Sequence, residues 1–228
     1  VKLDNGVTIL TASIPHVRSV VLGIWVNVGS RDESPAVAGV SHFIEHMMFK
    51  GTARRTAREI AEALDAVGGQ LNAFTTKEYT CYYARVLDEH LDLAIDVLED
   101  MLFHSRFAAE DIEREKNVII EEIKMYEDAP DELVHDVFAT TIWQGHSLGR
   151  PIIGTAEVIG RLTRQEILNY YRRHYCPQNM VVAVAGNIDP ARVLEKLRAV
   201  FEPLQGEQAD RRLVRPSPHR QVTCRVKD

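Results

Sequence analysis

The chain has 228 residues, 45% of them hydrophobic, with a formal charge of −6 and three cysteines. That length suffices for one sizeable core in one domain or two. The acidic balance argues against nucleic acid as the main partner and mildly favours basic or neutral peptides. No apolar run approaches the ~20 residues of a membrane-spanning helix, and no repeat of solenoid length is present.

In chain order, Asn5-Gly6 marks an opening hairpin, and a strand follows near residues 19 to 28. Ser34-Pro35 reads as an N-cap with proline at the first helical position, and Gly51 as a stop. A helix of about four turns is therefore expected between them, with Val37, Val40, Ile44, Met47 and Met48 as its apolar residues. Thr56 and Glu59 form a capping box for the next helix, which Gly68-Gly69 ends. Strands are expected near 70 to 75 and 79 to 86, the first of them suited to a sheet edge. Helices follow near 88 to 104, 109 to 128 and 130 to 142, from spacings such as Leu91, Ile95, Leu98 and Leu102. Thr163 and Glu166 start another helix, broken by Cys176-Pro177. Residues 180 to 185 form a strand, and Asp189-Pro190 opens a helix to about Phe201. The grouping predicts an α+β fold, a mainly antiparallel sheet with helices packed on one face. Residues 1–204 form the expected domain. From Gln205 to Pro218 the chain reads as a polar linker, and Arg220 to Val226 as the start of a further strand.

The most informative residues lie in the helix expected before Gly51. His42, Glu45 and His46 form a His-x-x-Glu-His string. At about 100° per residue the two histidines lie about 40° apart around a helix axis, with Glu45 on the same side. Neutral imidazole suits zinc, and a catalytic zinc site typically combines three protein ligands with one open position. Glu45 fits a general base better than a ligand, because drawing a proton from water at the metal needs a carboxylate beside the ligands. The string is the inverzincin signature. In so apolar a helix, two imidazoles and a carboxylate would be costly to bury without partners or a metal.

A third ligand must come from another element. The helix near 109 to 128 offers Glu115 and Glu122, seven residues apart and within about 20° of each other, flanked by Ile119 and Val118. Spacing does not choose between them, and a solvated charged face paired to Lys116 and Lys124 reads equally well. The wider acidic cluster from Glu110 to Asp136 is read mainly as solvated helix surface, with a recognition patch for basic substrates as the alternative.

His42-x-x-Glu45-His46 followed by Glu115 and Glu122 resembles the pitrilysin/insulysin superfamily of zinc metallopeptidases, most of all the mitochondrial processing peptidase β-subunit and its bacterial homologues. Further segments match in order: Leu3 to Val7, Gly29 to Glu33, Phe49 to Thr52, Leu71 to Thr75, Tyr82 to Ala84 and Leu148 to Thr155. The resemblance implies Zn2+ held by His42, His46 and Glu122, with Glu115 supporting the site and Glu45 as catalytic base. It also implies that Asn72, Ala73 and Phe74 line a track for an extended peptide, which an exposed edge strand can bind through its main chain. On pattern alone, an ordinary hairpin without a ligand fits that segment better.

Members of this superfamily close two similar halves around the peptide, so the chain resembles the metal-bearing half. A second half, on the same or a partner chain, is implied for full activity, and a homo-oligomer through the uncovered face is a further expectation. The Arg and Tyr that the second half normally supplies map to no residue here. A subunit that has lost catalysis and a structural zinc domain are the rival readings. The intact motif disfavours the first, and a three-ligand set disfavours the second. Cys81, Cys176 and Cys224 read as free thiols in a reducing compartment. The resemblance implies a soluble protein, cytoplasmic in a bacterium or in the mitochondrial matrix of a eukaryote, with no nucleic acid or membrane partner. The start on Val1 implies processing or trimming and leaves a removed targeting segment open.

Overall fold

The computed structural model describes residues 1–206, 211, 213–217 and 223. Five strands, β1 (Thr8–Ser13), β2 (Ser19–Val26), β3 (Gln70–Thr75), β4 (Thr80–Leu87) and β5 (Met180–Gly186), form one sheet in the order β1-β5-β2-β4-β3. Alternation decides which face is buried. Val20, Leu22, Ile24 and Val26 of β2 point into the core, as do Tyr82, Ala84 and Val86 of β4 and Met180, Val182 and Val184 of β5, whereas Val21 is exposed. Register aligns these rows, with Leu22 beside Ala84 on one side and Val184 on the other. All pairings are antiparallel except β1 with β5. A parallel pair needs a long crossover, and here nearly the whole domain lies between the two strands.

Among the described residues there are eight α-helices: α1 (Val40–Met48), α2 (Ala57–Asp65), α3 (Leu91–His104), α4 (Ala109–Asp128), α5 (Pro130–Ile142), α6 (Ala156–Arg161), α7 (Arg164–His174) and α8 (Pro190–Phe201). α3 lies across β2 and β4 and α8 against β1, so the core sits between the sheet and a helical layer on one side. The expected α+β architecture is the observed one. The capping boxes at Thr56 with Glu59 and at Thr163 with Glu166 both form.

Several expectations need correction. The helix bearing His42 and His46 has nine residues rather than about four turns. Pro35–Val37 makes only one 3-10 turn, and the Ser34 side chain caps nothing. Gly39 then breaks the path at φ 95°, in the left-handed region, and a Cβ there would lie 2.6 Å from the Ile153 carbonyl oxygen. α6 was not foreseen. Its six residues are too few to show a periodicity, although Thr155 caps it by accepting from the Val158 N–H. The opening turn forms at Gly6, but only Lys2 bridges Thr8 before β1 turns to β5. Val118 is 49% exposed and does not flank the semi-buried face of α4; Ile112, Glu115, Ile119 and Ile123 form its buried line.

Cys81 and Cys176 are free and buried. Cys224 and nearly all of the expected strand from Arg220 to Val226 lie outside the described residues. Among the described residues no helix is long and apolar enough to cross a membrane.

Candidate metal centre

α1 is the most deeply buried helix near the sheet edge, with Val40, Phe43, Ile44, Met47 and Met48 fully covered. Those apolar residues fix its roll, and the remaining stripe, His42, Glu45 and His46, is turned toward α4 and β3, both of which pack against α1. On α4, Ile119 is buried beside it and Glu122 lies one turn further along.

His42 Nε2 stands 3.8 Å from one Glu122 oxygen and His46 Nε2 stands 3.5 Å from the other. One donor atom from each of the three residues lies within 4.8 Å of the others, the only such metal-capable group among the described residues. Donors bound tetrahedrally at ~2.0–2.1 Å sit about 3.4 Å apart, so the carboxylate-to-imidazole separations fit a zinc ion with little adjustment.

The protonation states fit as well. Glu115 accepts from His46 Nδ1–H at 3.0 Å and from Lys50 Nζ at 2.7 Å. Burial acts to raise the Glu115 pKa, but the hydrogen bonds from His46 and Lys50 outweigh it and hold the group below the usual carboxylate range. An ionised Glu115 can only accept, so His46 donates from Nδ1, and Nε2, which faces Glu122, is the nitrogen placed to meet a metal. Burial, reinforced by the neighbouring His46, pushes His42 down to about 3. Burial raises the Glu122 carboxyl, opposed by His46 and reinforced by Glu115. Glu45 is also raised, chiefly by burial, while the Thr75 hydroxyl donates to it and partly offsets that effect.

The low His42 value has a measurable consequence in the metal-free protein. Between the unfolded value of 6.5 and about 3, the unfolded chain binds a proton at His42 that the folded chain does not. Stability from this group is therefore complete above 6.5 and declines as pH falls toward 3, by about 1.4 kcal/mol per pH unit crossed and a few kcal/mol in all. Urea melts across this range are expected to show that slope, and His42→Gln to flatten it; equal slopes in the two proteins would contradict the assignment.

An open cleft of about 570 Å³ begins at His42, Glu45 and Glu122. Ala73, Phe74 and Thr75 of β3 line it, as do Ile152 and Ile153. Tyr126 and the α5 residues Glu132, His135 and Asp136 also line it. Among the described residues β3 is an edge strand, as expected, bonded only to β4. Asn72 Oδ1 accepts from the Ala73 N–H, so that amide faces the open edge. Alternation turns Leu71 and Thr75 the same way. Of the three residues expected along a peptide track, Ala73 and Phe74 reach the cleft, whereas the Asn72 side chain covers its neighbour's amide.

Sequence reasoning missed Lys50 and Thr75, while the α5 acids at the cleft, Glu132 and Asp136, belong to the acidic cluster whose alternative reading was a recognition patch. Lys50 stands four residues after His46, a spacing that places both on one side of a helix, and Glu132 and Asp136 share the same i,i+4 relation. Thr75 gave no such signal, because its partner Glu45 is 30 residues away.

The fold and site together define a class: an α+β unit whose buried helix offers two imidazoles, a second helix a carboxylate, and a further carboxylate alongside, the donor set of a hydrolytic metal centre with one position open. Comparison with known proteins makes the class specific. Residues 8–156 match the family described as insulinase (peptidase family M16), and residues 161–227 match the peptidase M16 inactive domain. The chain belongs to the M16 peptidase family. It is 52% identical over 200 residues to an uncharacterized zinc protease of Streptomyces coelicolor, covering 88% of this chain and 44% of that protein. It is 47% identical over 225 residues to one of Bacillus subtilis, covering 99% of this chain and 55% of the relative. The chain thus spans about half the length of these relatives.

Among solved structures, a Helicobacter pylori protease superposes with a TM-score of 0.88 at 24% identity, over 96% of this chain and 52% of its own. The periplasmic protease PqqL from Escherichia coli gives 0.87 at 24% identity, over 95% and 25%. At that identity the likeness establishes the fold. The two matched segments do not separate in space, because β5, from the second, lies between β1 and β2 of the first.

Proposed function

We propose that this chain is the metal-bearing half of a zinc-dependent endopeptidase and that a second, homologous half completes it. The observation that carries the reading is the convergence of His42, His46 and Glu122 within 4.8 Å, with Glu45 beside them at the head of an open cleft. His42 and His46 would hold the ion through Nε2 and Glu122 through its carboxylate. A zinc ion held there supplies Lewis acidity and lowers the pKa of water toward ~7. Glu45 would take the proton from the attacking water and return it to the leaving amine, and burial, which raises its pKa, makes it a stronger base than an exposed carboxylate. Glu115, itself held by Lys50, orients His46.

The open edge of β3 would bind an extended peptide through the main chain of Leu71, Ala73 and Thr75, the peptide displacing the Asn72 side chain from the Ala73 N–H and leading a scissile bond toward Glu45. Glu132 and Asp136, which line the same cleft, favour a substrate with a basic side chain near that bond. Residues 1–204 would act as the catalytic unit and 205–228 as the connection toward the second half. The half-length match to relatives and neighbours supports that arrangement.

The test is cleavage of a quenched peptide carrying arginine, with a homologous second half supplied. Cleavage should require zinc, stop with chelator, and fall when arginine is replaced by glutamate. Ala73→Pro removes an amide that β4 does not use, so the fold should survive while KM rises about tenfold. Metal-independent cleavage, or no cleavage of any extended peptide by the zinc-loaded pair, would refute the proposal.

A further inference from the structure

The two candidate histidine ligands are held differently. The His46 ring is oriented from behind by Glu115, whereas His42 Nδ1 is buried and has no hydrogen-bond partner among the described residues. A metal-ligating histidine usually has its second nitrogen fixed by a carboxylate, carbonyl or water. With no hydrogen bond from behind, the direction of His42 rests on its edge contact with the His46 ring and on the backbone that carries it, the first turn of α1.

That turn has an unusual anchor. Gly39, in the left-handed region, supplies no side chain to cap the helix, and Glu33 takes over the task from outside. One Glu33 oxygen accepts the Gly39 N–H at 2.7 Å and the other accepts the Ser41 N–H at 2.8 Å, immediately before His42. These are amides that a helix start otherwise leaves unsatisfied. The Ser41 hydroxyl also meets the Tyr170 hydroxyl at 3.1 Å. Arg150 donates to the Glu33 carbonyl oxygen, and Lys77, on the cleft wall, donates to the Arg150 carbonyl oxygen. Glu33 is only 4% exposed, and burial pushes its carboxyl up to about 7 against the opposing pull of the two amides and Arg150. A neutral side chain would avoid that desolvation but could not accept both amides in the same way.

We propose that Glu33 is the positioning residue for His42, acting through the Gly39 and Ser41 amides as Glu115 acts on His46 through its ring. This rests on the zinc site proposed above. Its distinctive consequence concerns metal binding rather than folding alone. Glu33→Gln leaves one acceptor and turns an NH2 toward the other amide, so the first turn and His42 should shift together.

The test is competitive zinc titration with a chromophoric chelator, together with visible spectra of Co2+-loaded protein and thermal melts of metal-free protein. Wild type, Glu33→Gln, Glu33→Asp and Asp100→Asn are compared. Asp100 is a fully buried acid in the Thr52, Arg54 and Arg55 network and controls for general destabilisation. Glu33→Gln should weaken zinc affinity about tenfold or more and alter the Co2+ spectrum, with a smaller effect in Glu33→Asp, whose shorter arm reaches one amide. Asp100→Asn should melt earlier with zinc affinity unchanged. If Glu33→Gln does not fold, Glu33→Asp decides. Wild-type affinity and spectrum in the folded Glu33 variants would overturn this inference alone, as would an equal affinity loss in Asp100→Asn. Failure of wild type to bind zinc would instead overturn the proposed function.

Discussion

Glu45→Gln is expected to reduce peptide cleavage by about 10²–10⁴-fold while zinc content stays at the wild-type level. The substitution keeps an acceptor for the Thr75 hydroxyl, and the volume is nearly unchanged, so α1 should not move. It also removes a carboxyl whose pKa is raised mainly by burial. The metal-free variant should therefore melt no earlier than wild type. Steady-state cleavage, elemental zinc analysis and a thermal melt on one preparation separate the possibilities. Retained zinc with lost turnover supports a proton-transfer role. Undiminished turnover would remove Glu45 from the mechanism, and joint loss of zinc and turnover would make it a ligand.

The second large effect concerns the ligands themselves. Glu122→Ala and His46→Ala each remove one of the three donor atoms that stand within 4.8 Å of one another. Zinc affinity should fall by more than the roughly 10–100-fold expected when an orienting partner is lost, with cleavage falling in parallel. Glu115→Gln should lie within that smaller range, because it disturbs His46 from behind without removing a donor. The order of the three variants carries the argument. A Glu115 variant that lost zinc as completely as Glu122→Ala would exchange the two glutamates' roles.

The order of effects follows from a distinction that spacing left open. Glu115 and Glu122 share a helical stripe and look equivalent in the sequence, and only the roll and depth of α1 against α4 separate them. Glu115 ends up behind His46, beside Lys50, while Glu122 faces both Nε2 atoms. The His-x-x-Glu-His stripe was legible because helical period alone puts its three side chains on one side. Most element positions were legible for the same reason, through the capping boxes at Thr56 and Thr163 and the alternation in β2 and β5.

Other features depend on contacts distant in sequence. Pro35 gave a reasonable helix start, yet left-handed Gly39, where the Ile153 carbonyl approaches closely, breaks the path before α1, and Glu33 rather than Ser34 caps it. The parallel pairing of β1 with β5 joins residues about 170 apart and left no local trace. The acidic stretch from Glu110 to Asp136 read as solvated surface, and for Glu113 and Glu121, paired to Lys116 and Lys124, that holds. Glu132 and Asp136 instead line the cleft, because α5 runs back along its wall.

The most direct test of the metal centre is X-ray diffraction from crystals of the zinc-loaded chain, measured on both sides of the zinc absorption edge. One anomalous peak per chain is expected, about 2.0–2.2 Å from His42 Nε2, His46 Nε2 and a Glu122 oxygen, with Glu45 outside bonding distance. A peak coordinated by Glu115 or Glu45 in place of Glu122, or no peak at this group in zinc-replete crystals, would contradict that arrangement.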